Sequence, residues 1–249
     1  MVMTDNKHNK KSVIVWLTAL IVVLLTLVGI LEPDKDMEKD ETKNVFSETV
    51  PNGFGVNIHF TGERIDTDLI KDAGFKVVRQ DIYWGRVEKE KGVFDFEAEG
   101  YDDLTKSLIE NGIRPYYILG YSNKLYEKER SVITEEGQDA FVRYVSKVTS
   151  RYKNKGIIWE IWNEPNVDAW ETKPNFDDYS NLVKRVSKTI KENDPSGTVV
   201  APALAGINEE PLDWLEGILQ KDILNYIDAL SVHPYRAQNP ETVIEDYKK

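Results

Sequence analysis

Between residues 54 and 233, short runs rich in β-branched and aromatic residues alternate with longer stretches of helical periodicity, and no strand-like run follows another without a helix between. The strand expectations are Phe54–Phe60, Val77–Ile82, Arg114–Leu119, Ile157–Trp162, Thr198–Pro202 and Ala229–His233; the helical ones are about Arg64–Ala73, Tyr101–Asn111, Glu135–Tyr152, Phe176–Glu192 and Pro211–Lys221. Ala73-Gly74, Asn111-Gly112 and Asn193-Asp194-Pro195 mark helix stops ahead of the next strand. Strands separated by helices form a parallel sheet with right-handed crossovers, closed as a doubly wound open sheet or an eight-fold barrel. A doubly wound nucleotide-binding sheet carries a glycine-rich phosphate loop after its first strand, and Asn57-Ile58-His59-Phe60-Thr61-Gly62 is neither G-x-G-x-x-G nor a P-loop. The expected fold is therefore α/β, a (β/α)8 TIM barrel represented by about six βα units, and no cofactor is expected.

The 249 residues divide before this body begins. Lys7, Lys10 and Lys11 precede an apolar stretch from Val13 to Leu31, close to the roughly 20 residues that cross a bilayer as a helix. A cleaved signal peptide is the competing reading, but its apolar core is usually about 7–15 residues with small residues after it, whereas Glu32 and Pro33 follow here. The expectation is a cytoplasmic basic segment at 1–12, a single-pass signal-anchor at 13–31, an acidic linker at 32–50 and an extracytoplasmic domain at 51–249. There are no cysteines, which excludes disulfides, thiol chemistry and a cysteine-linked lipid anchor. With 43 acidic against 32 basic residues and no basic stripe, nucleic acid is an unsuitable partner.

Barrel chemistry sits at the carboxyl ends of the strands. Those ends hold His59, Asp81 with Trp84, Tyr117 and Tyr121, the run Glu160-Ile161-Trp162-Asn163-Glu164-Pro165-Asn166, and His233-Pro234-Tyr235. Aromatic faces suit the apolar faces of sugar rings, and Asn, His and carboxylate suit their hydroxyl edges, so the lining has the chemistry of a carbohydrate cleft. The residue before a proline avoids the right-handed helical region, so Pro165 is expected to hold Glu164 extended at the strand end. Alternation puts Ile158, Glu160, Trp162 and Glu164 on one face, taken as the barrel interior. Glu160 then lies deep enough to need a cation, and Arg79 is the arginine placed to pair with it. A metal site built from His59, His233 and Glu164 is set aside, because H-x-H and H-E-x-x-H spacings are absent.

The run Trp159–Asn166, WEIWNEPN, resembles the fourth-strand signature of the clan A glycoside hydrolases, and the likeness extends through nearly all of Pro51–Lys249. Arg79 in VVRQDIYW is similar to the second-strand arginine of that clan, and SVHPY to its sixth-strand His-x-Tyr; among clan members the sequence looks closest to families 5 and 39. The resemblance implies a retaining mechanism in which Glu164 protonates the glycosidic oxygen and later activates water, while Asn163 holds the sugar 2-hydroxyl. It further implies that His233 and Tyr235 line the subsite at the scissile bond, Tyr235 near the nucleophile, and that His59, Trp84 and Trp162 form walls. A retaining enzyme also needs a second carboxylate about 5–5.5 Å from the first. The clan carries that glutamate on its seventh strand, and only the segment Arg236–Lys249 follows Tyr235. The expectation is a chain truncated before strands seven and eight, poorly stable alone, with open strand edges. Two functions follow from the sequence: hydrolysis of a β-linked poly- or oligosaccharide by a membrane-tethered glycosidase, or non-catalytic carbohydrate binding at the cell surface.

Overall fold

In the computed structural model, six parallel strands are hydrogen-bonded in sequence order, β1-β2-β3-β4-β5-β6, each to the next. The structure describes residues 53–239 other than Thr172, together with Thr242, Ile244 and Lys248. The strands are β1 (Gly55–Asn57), β2 (Val77–Tyr83), β3 (Arg114–Gly120), β4 (Ile158–Ile161), β5 (Thr198–Ala205) and β6 (Ala229–His233). Between them lie α1 (Thr67–Asp72), a short α2 (Trp84–Val87), α3 (Tyr101–Glu110), α4 (Glu135–Tyr152), α5 (Phe176–Asn193) and α6 (Glu209–Leu219), with a 3-10 turn at Ile223–Asn225. This is a half-barrel of the TIM type, open along β1 and β6. The expected basic segment, membrane span and linker at residues 1–50 lie outside the described residues, and among those described no helix is long and apolar enough to cross a membrane.

The helices begin where side chains satisfy the first free amides. Asp66 accepts from Leu69 N at 3.0 Å, Thr134 Oγ1 from Gly137 N at 2.9 Å, and Asn175 Oδ1 from Asp177 N and Asp178 N at 2.8 and 3.1 Å. Gly74 and Gly112 take φ of +88° and +67° at the stops read from the sequence. One face of α4 and α5 is buried through Phe141, Tyr144, Val145 and Val148 and through Leu182, Val183, Val186 and Ile190. These pack on the outward side chains Val78, Ile82, Leu119, Ile161 and Val199 of the sheet in one continuous core. Each such side chain removed from water contributes about 1.5–3 kcal/mol, which is what holds a sheet with two open edges together.

Three elements differ from the sequence expectation. The first strand is three residues instead of seven: it has one neighbour only, and after Ile58 N bonds Arg79 O at 3.0 Å the chain leaves the ladder, with Phe60 N turning to the side chain of Gln80 at 2.8 Å. Pro202 does not end β5. The register shifts between Ala201 and Leu204, Ala203 takes φ +55°, and its amide bonds Ser231 Oγ at 2.7 Å, so a bulge absorbs the proline and the strand continues to Ala205. Trp84–Val87, given no element from the sequence, forms a helical turn because the Trp84 ring is anchored between Tyr126 and Tyr144.

Candidate active site

β4 ends in an irregular turn that presents a carboxylate. Trp162 and Glu164 take φ of +68° and +56°, so Asn163 stands between two left-handed residues. Pro165 does not hold Glu164 extended as expected. The turn is fixed from β5: Glu164 N donates to Ala203 O at 3.1 Å, and the Asn166 amide clasps Ala205, donating to its carbonyl at 3.0 Å and accepting from its amide at 2.9 Å. Non-glycine residues in this region cost on the order of 1–3 kcal/mol each and persist where surrounding bonds over-determine them, most often at functional sites.

The left-handed step at Trp162 also ends the strand alternation. Glu160 faces the interior, but Trp162, expected as an interior wall, is fully buried outside it, with its ring against Trp170, Tyr121 and Phe141 and Nε1 donating to Ala169 O at 3.0 Å. Trp84 is likewise fully buried, against Tyr126, Phe141 and Tyr144, and its indole donates to Glu88. Neither lines a cleft. Tyr117 lies on the helical side of β3, its hydroxyl 2.7 Å from Thr105 Oγ1.

Glu164 and His233 meet at the mouth. His233 Nδ1 is 2.7 Å from Glu164 Oε1, and the side chains are 19% and 26% exposed, so the pair is held yet reachable from solvent. Either partner can hold the shared proton, as the imidazole N–H or as the carboxylic acid. The Tyr235 ring stands edge-on to His233 at 6.2 Å and is 84% exposed. His59 is exposed on the segment after β1.

Beneath the mouth, Glu160 is completely buried and completely satisfied. Arg79 donates to Glu160 Oε2 from Nε at 2.9 Å and from Nη2 at 2.5 Å; Tyr116 and Ser231 hydroxyls donate to Oε1 at 2.6 and 2.7 Å. The same Arg79 donates to Asn163 Oδ1 at 2.6 Å and to Asn57 Oδ1 at 3.1 Å. Burial alone would lower the Arg79 pKa, but the charge and hydrogen bonds of Glu160 keep it above its ordinary value. Burial and the Glu160 charge push the Tyr116 hydroxyl up, so it stays a donor. The network ties the interior carboxylate to the residue that precedes Glu164.

Asp81 shares the inward face of β2 with Arg79. It is 7% exposed, Tyr83 OH donates to Oδ2 at 3.4 Å, and Oδ1 has no partner among the described residues. Burial pushes its pKa above the ordinary 3.8; Arg79 and Tyr83 pull it back, and Glu160 adds to the rise. A carboxyl with a higher folded than unfolded pKa binds its proton more tightly when native, so the stability it contributes is present in acid and lost as pH rises above 3.8 through the folded value. Asp81→Asn is expected to remove that loss. Between about pH 4 and pH 7 the variant should gain on the parent by roughly 1.4 kcal/mol for each tenfold difference in proton affinity between the two states, read as the difference in urea-unfolding free energy.

The model of cellulase (glycosyl hydrolase family 5) matches residues 39–242. The chain belongs to that family. A β-xylosidase of Geobacillus stearothermophilus is 25% identical over 162 residues, 59% of this chain and 32% of the relative. β-Glucosidase 23 of Arabidopsis thaliana is 30% identical over 107 residues, 40% of this chain and 20% of that one. Among solved structures, the GH39 enzyme from Xanthomonas axonopodis pv. citri superposes with a TM-score of 0.61 at 21% identity, covering 79% of this chain and 46% of that chain. The six-stranded half-barrel is thus the clan A glycosidase fold, and the chain spans about a third or less of the two curated relatives' length and just under half of the structural neighbour's.

Set on this family 5 half-barrel, the sequence readings that the structure brings together are Glu164, Asn163, His233, Arg79 and Glu160. Tyr116 and Ser231 are not singled out in the sequence, whereas Tyr121 stands among the strand-end residues read from it. Tyr116 has no local signal: it is the parallel register, not a sequence pattern, that sets it directly beside Arg79 and Ile158. Tyr121 shares a hydrogen bond with Asn163, and the guanidinium of Arg130, from a loop with no periodicity to read, lies 4.0 Å over its ring. Among the described residues no group of three or more His, Cys, Asp or Glu is placed to hold a metal ion.

Proposed function

We propose that the domain hydrolyses a β-linked poly- or oligosaccharide by a retaining mechanism in which Glu164 is the acid/base. The observation that carries the reading is the Glu164–His233 contact at the carboxyl ends of β4 and β6, part-exposed and seated above a buried, fully paired Arg79–Glu160 network. Such a carboxyl is placed to protonate a glycosidic oxygen as the bond breaks and then to take a proton from water. Asn163, anchored through Oδ1 by Arg79, is positioned to bind a sugar hydroxyl beside it. His233 orients the carboxyl, and Tyr235 and His59 provide the flanking surfaces. Membership of family 5 and the xylosidase and glucosidase relatives support a β-linked carbohydrate as substrate.

The nucleophilic half of a retaining reaction needs a second carboxylate about 5–5.5 Å from Glu164, and the clan resemblance puts it on a seventh strand. The test has two arms, the 249-residue chain and the same chain joined to two further βα units whose first strand ends in glutamate. Both are incubated with aryl β-xylosides, aryl β-glucosides, xylan and β-glucan. Release of product above the matching Glu164→Gln control supports the reading. Equal rates in both arms with Glu and Gln at position 164 would sink it.

We also propose that residues 13–31 anchor the chain in a membrane with the domain outside the cell; the support is the apolar run flanked by lysines. After extraction of membranes with alkaline carbonate, the chain is expected to stay in the pellet, and deletion of residues 1–31 to release it. Full release of the intact chain would overturn the anchor.

A further inference from the structure

A second concavity opens on the rim beside the Glu164 turn. It encloses about 270 Å³ and is lined by Val167, Lys173, Pro174, Glu210, Pro211 and Trp214. We propose that this pocket is a sugar subsite that takes one neutral pyranose ring of the same β-linked chain whose scissile residue lies at Glu164. The proposal rests on the glycosidase reading above and adds where a long substrate is gripped.

Chemistry and size select the occupant. Sites for drug-sized ligands run from about 300 to 1,000 Å³, so a hollow of about 270 Å³ accommodates a single ring. Two prolines and a tryptophan give rigid apolar faces that lose little side-chain freedom on binding, and sugar rings present apolar faces of that breadth. Lys173 and Glu210 bring opposite charges to the same hollow. An anion would meet Glu210 and a cation Lys173, whereas a hydroxyl accepts from one and donates to the other. Trp214 Nε1 is itself buried and has no hydrogen-bond partner among the described residues.

The pocket is continuous with the turn that presents the acid. Val167 N donates to Glu164 O at 3.3 Å, and Asn166, which also lines the hollow, is the residue clasped to Ala205. On the opposite side the chain reverses at Gly206, where φ is +87° and a Cβ would stand 3.0 Å from Asn208 Oδ1 and 3.1 Å from Pro211 Cγ. That close turn brings the start of α6, with Glu210 and Pro211, against the loop after β4. The carboxyl and the hollow are therefore parts of one braced unit.

The experiment uses the full chain carrying Glu164→Gln, so that ligand is bound without turnover, and calorimetric titration with β-1,4-linked xylose and glucose oligomers from dimer to hexamer. For the better series, Kd is expected to fall at least about tenfold with length. Val167 is 37% exposed, so Val167→Lys fills the hollow without disturbing the core. It is expected to abolish that gain while leaving dimer affinity within about twofold. The surface pair Lys173→Ala with Glu210→Ala, measured as a second variant, should weaken the hexamer and spare the dimer. A length dependence identical in parent and both variants overturns the subsite and leaves the Glu164 reading intact. Failure of every oligomer to bind the Glu164→Gln chain overturns both.

Discussion

Glu164→Gln is expected to lower kcat/KM for a β-linked oligosaccharide by about 10²–10⁴-fold, the usual contribution of a positioned proton donor, while oligosaccharide affinity stays within a few-fold. Glutamine keeps the shape of the side chain, and its amide can accept from His233 Nδ1 or donate to it, so the 2.7 Å contact and the left-handed turn at position 164 survive the change. What is lost is a group able to give up a proton as the glycosidic oxygen develops charge. The loss must therefore depend on the leaving group. An aryl glycoside whose phenol leaves readily needs little protonation and should be hit least in the bond-breaking step, whereas an alkyl or sugar leaving group should suffer the full effect. Stopped-flow release of a series of substituted phenols by parent and variant reads this directly. A uniform loss across the series would mean that Glu164 shapes the cleft without transferring a proton.

The path from sequence to site was legible wherever periodicity or turn chemistry was strong, and it failed where tertiary bonds override local preference. Glu135–Tyr152 was read to the residue because an N-cap threonine, an acidic first turn and an unbroken apolar face agree. Ala229–His233 was also read to the residue, though as an edge strand it is only half covered. Pro202 looked like a strand end, and only the Ser231 hydroxyl, provided by a strand distant in sequence, shows why a bulge is tolerated there. The two tryptophans that the resemblance makes cleft walls are buried for different reasons. Strand parity was extended past Ile161, and a single positive φ at Trp162 turns its ring into the helical layer; Trp84 follows the end of β2 and begins a helical turn whose aromatic neighbours come from α4 and the loop before it. The Arg79–Glu160 pairing was deducible because a carboxylate at that depth is untenable without a cation. Its additional donors, Tyr116 and Ser231, depend on register across β3 and β6 that no local pattern encodes.

Arg79→Met is expected to be among the most destabilising single changes in the domain, at about 3–5 kcal/mol, because it leaves the fully buried Glu160 carboxylate with only two hydroxyl donors and no compensating charge. For a domain of this size that corresponds to a fall in Tm of roughly 6–20 °C. The cost belongs to the orphaned charge and not to the lost contact, which makes the second half of the prediction the sharper one. Adding Glu160→Leu to Arg79→Met removes the charge as well, and buried ion pairs replaced on both sides by apolar groups are often neutral or better in stability. The double variant should therefore recover most of the loss in Tm. It should not recover function, because Arg79 Nη2 also holds Asn163 Oδ1 at 2.6 Å, one residue from Glu164. With that bond gone the amide is free to rotate away from a substrate hydroxyl, and oligosaccharide affinity should remain depressed while the fold is restored. Differential scanning calorimetry beside calorimetric binding separates the two quantities. If the double variant regained both stability and affinity, the buried pair would be a packing device alone, and the site above it would be held by the Ala203 and Ala205 backbone contacts without help from the barrel interior.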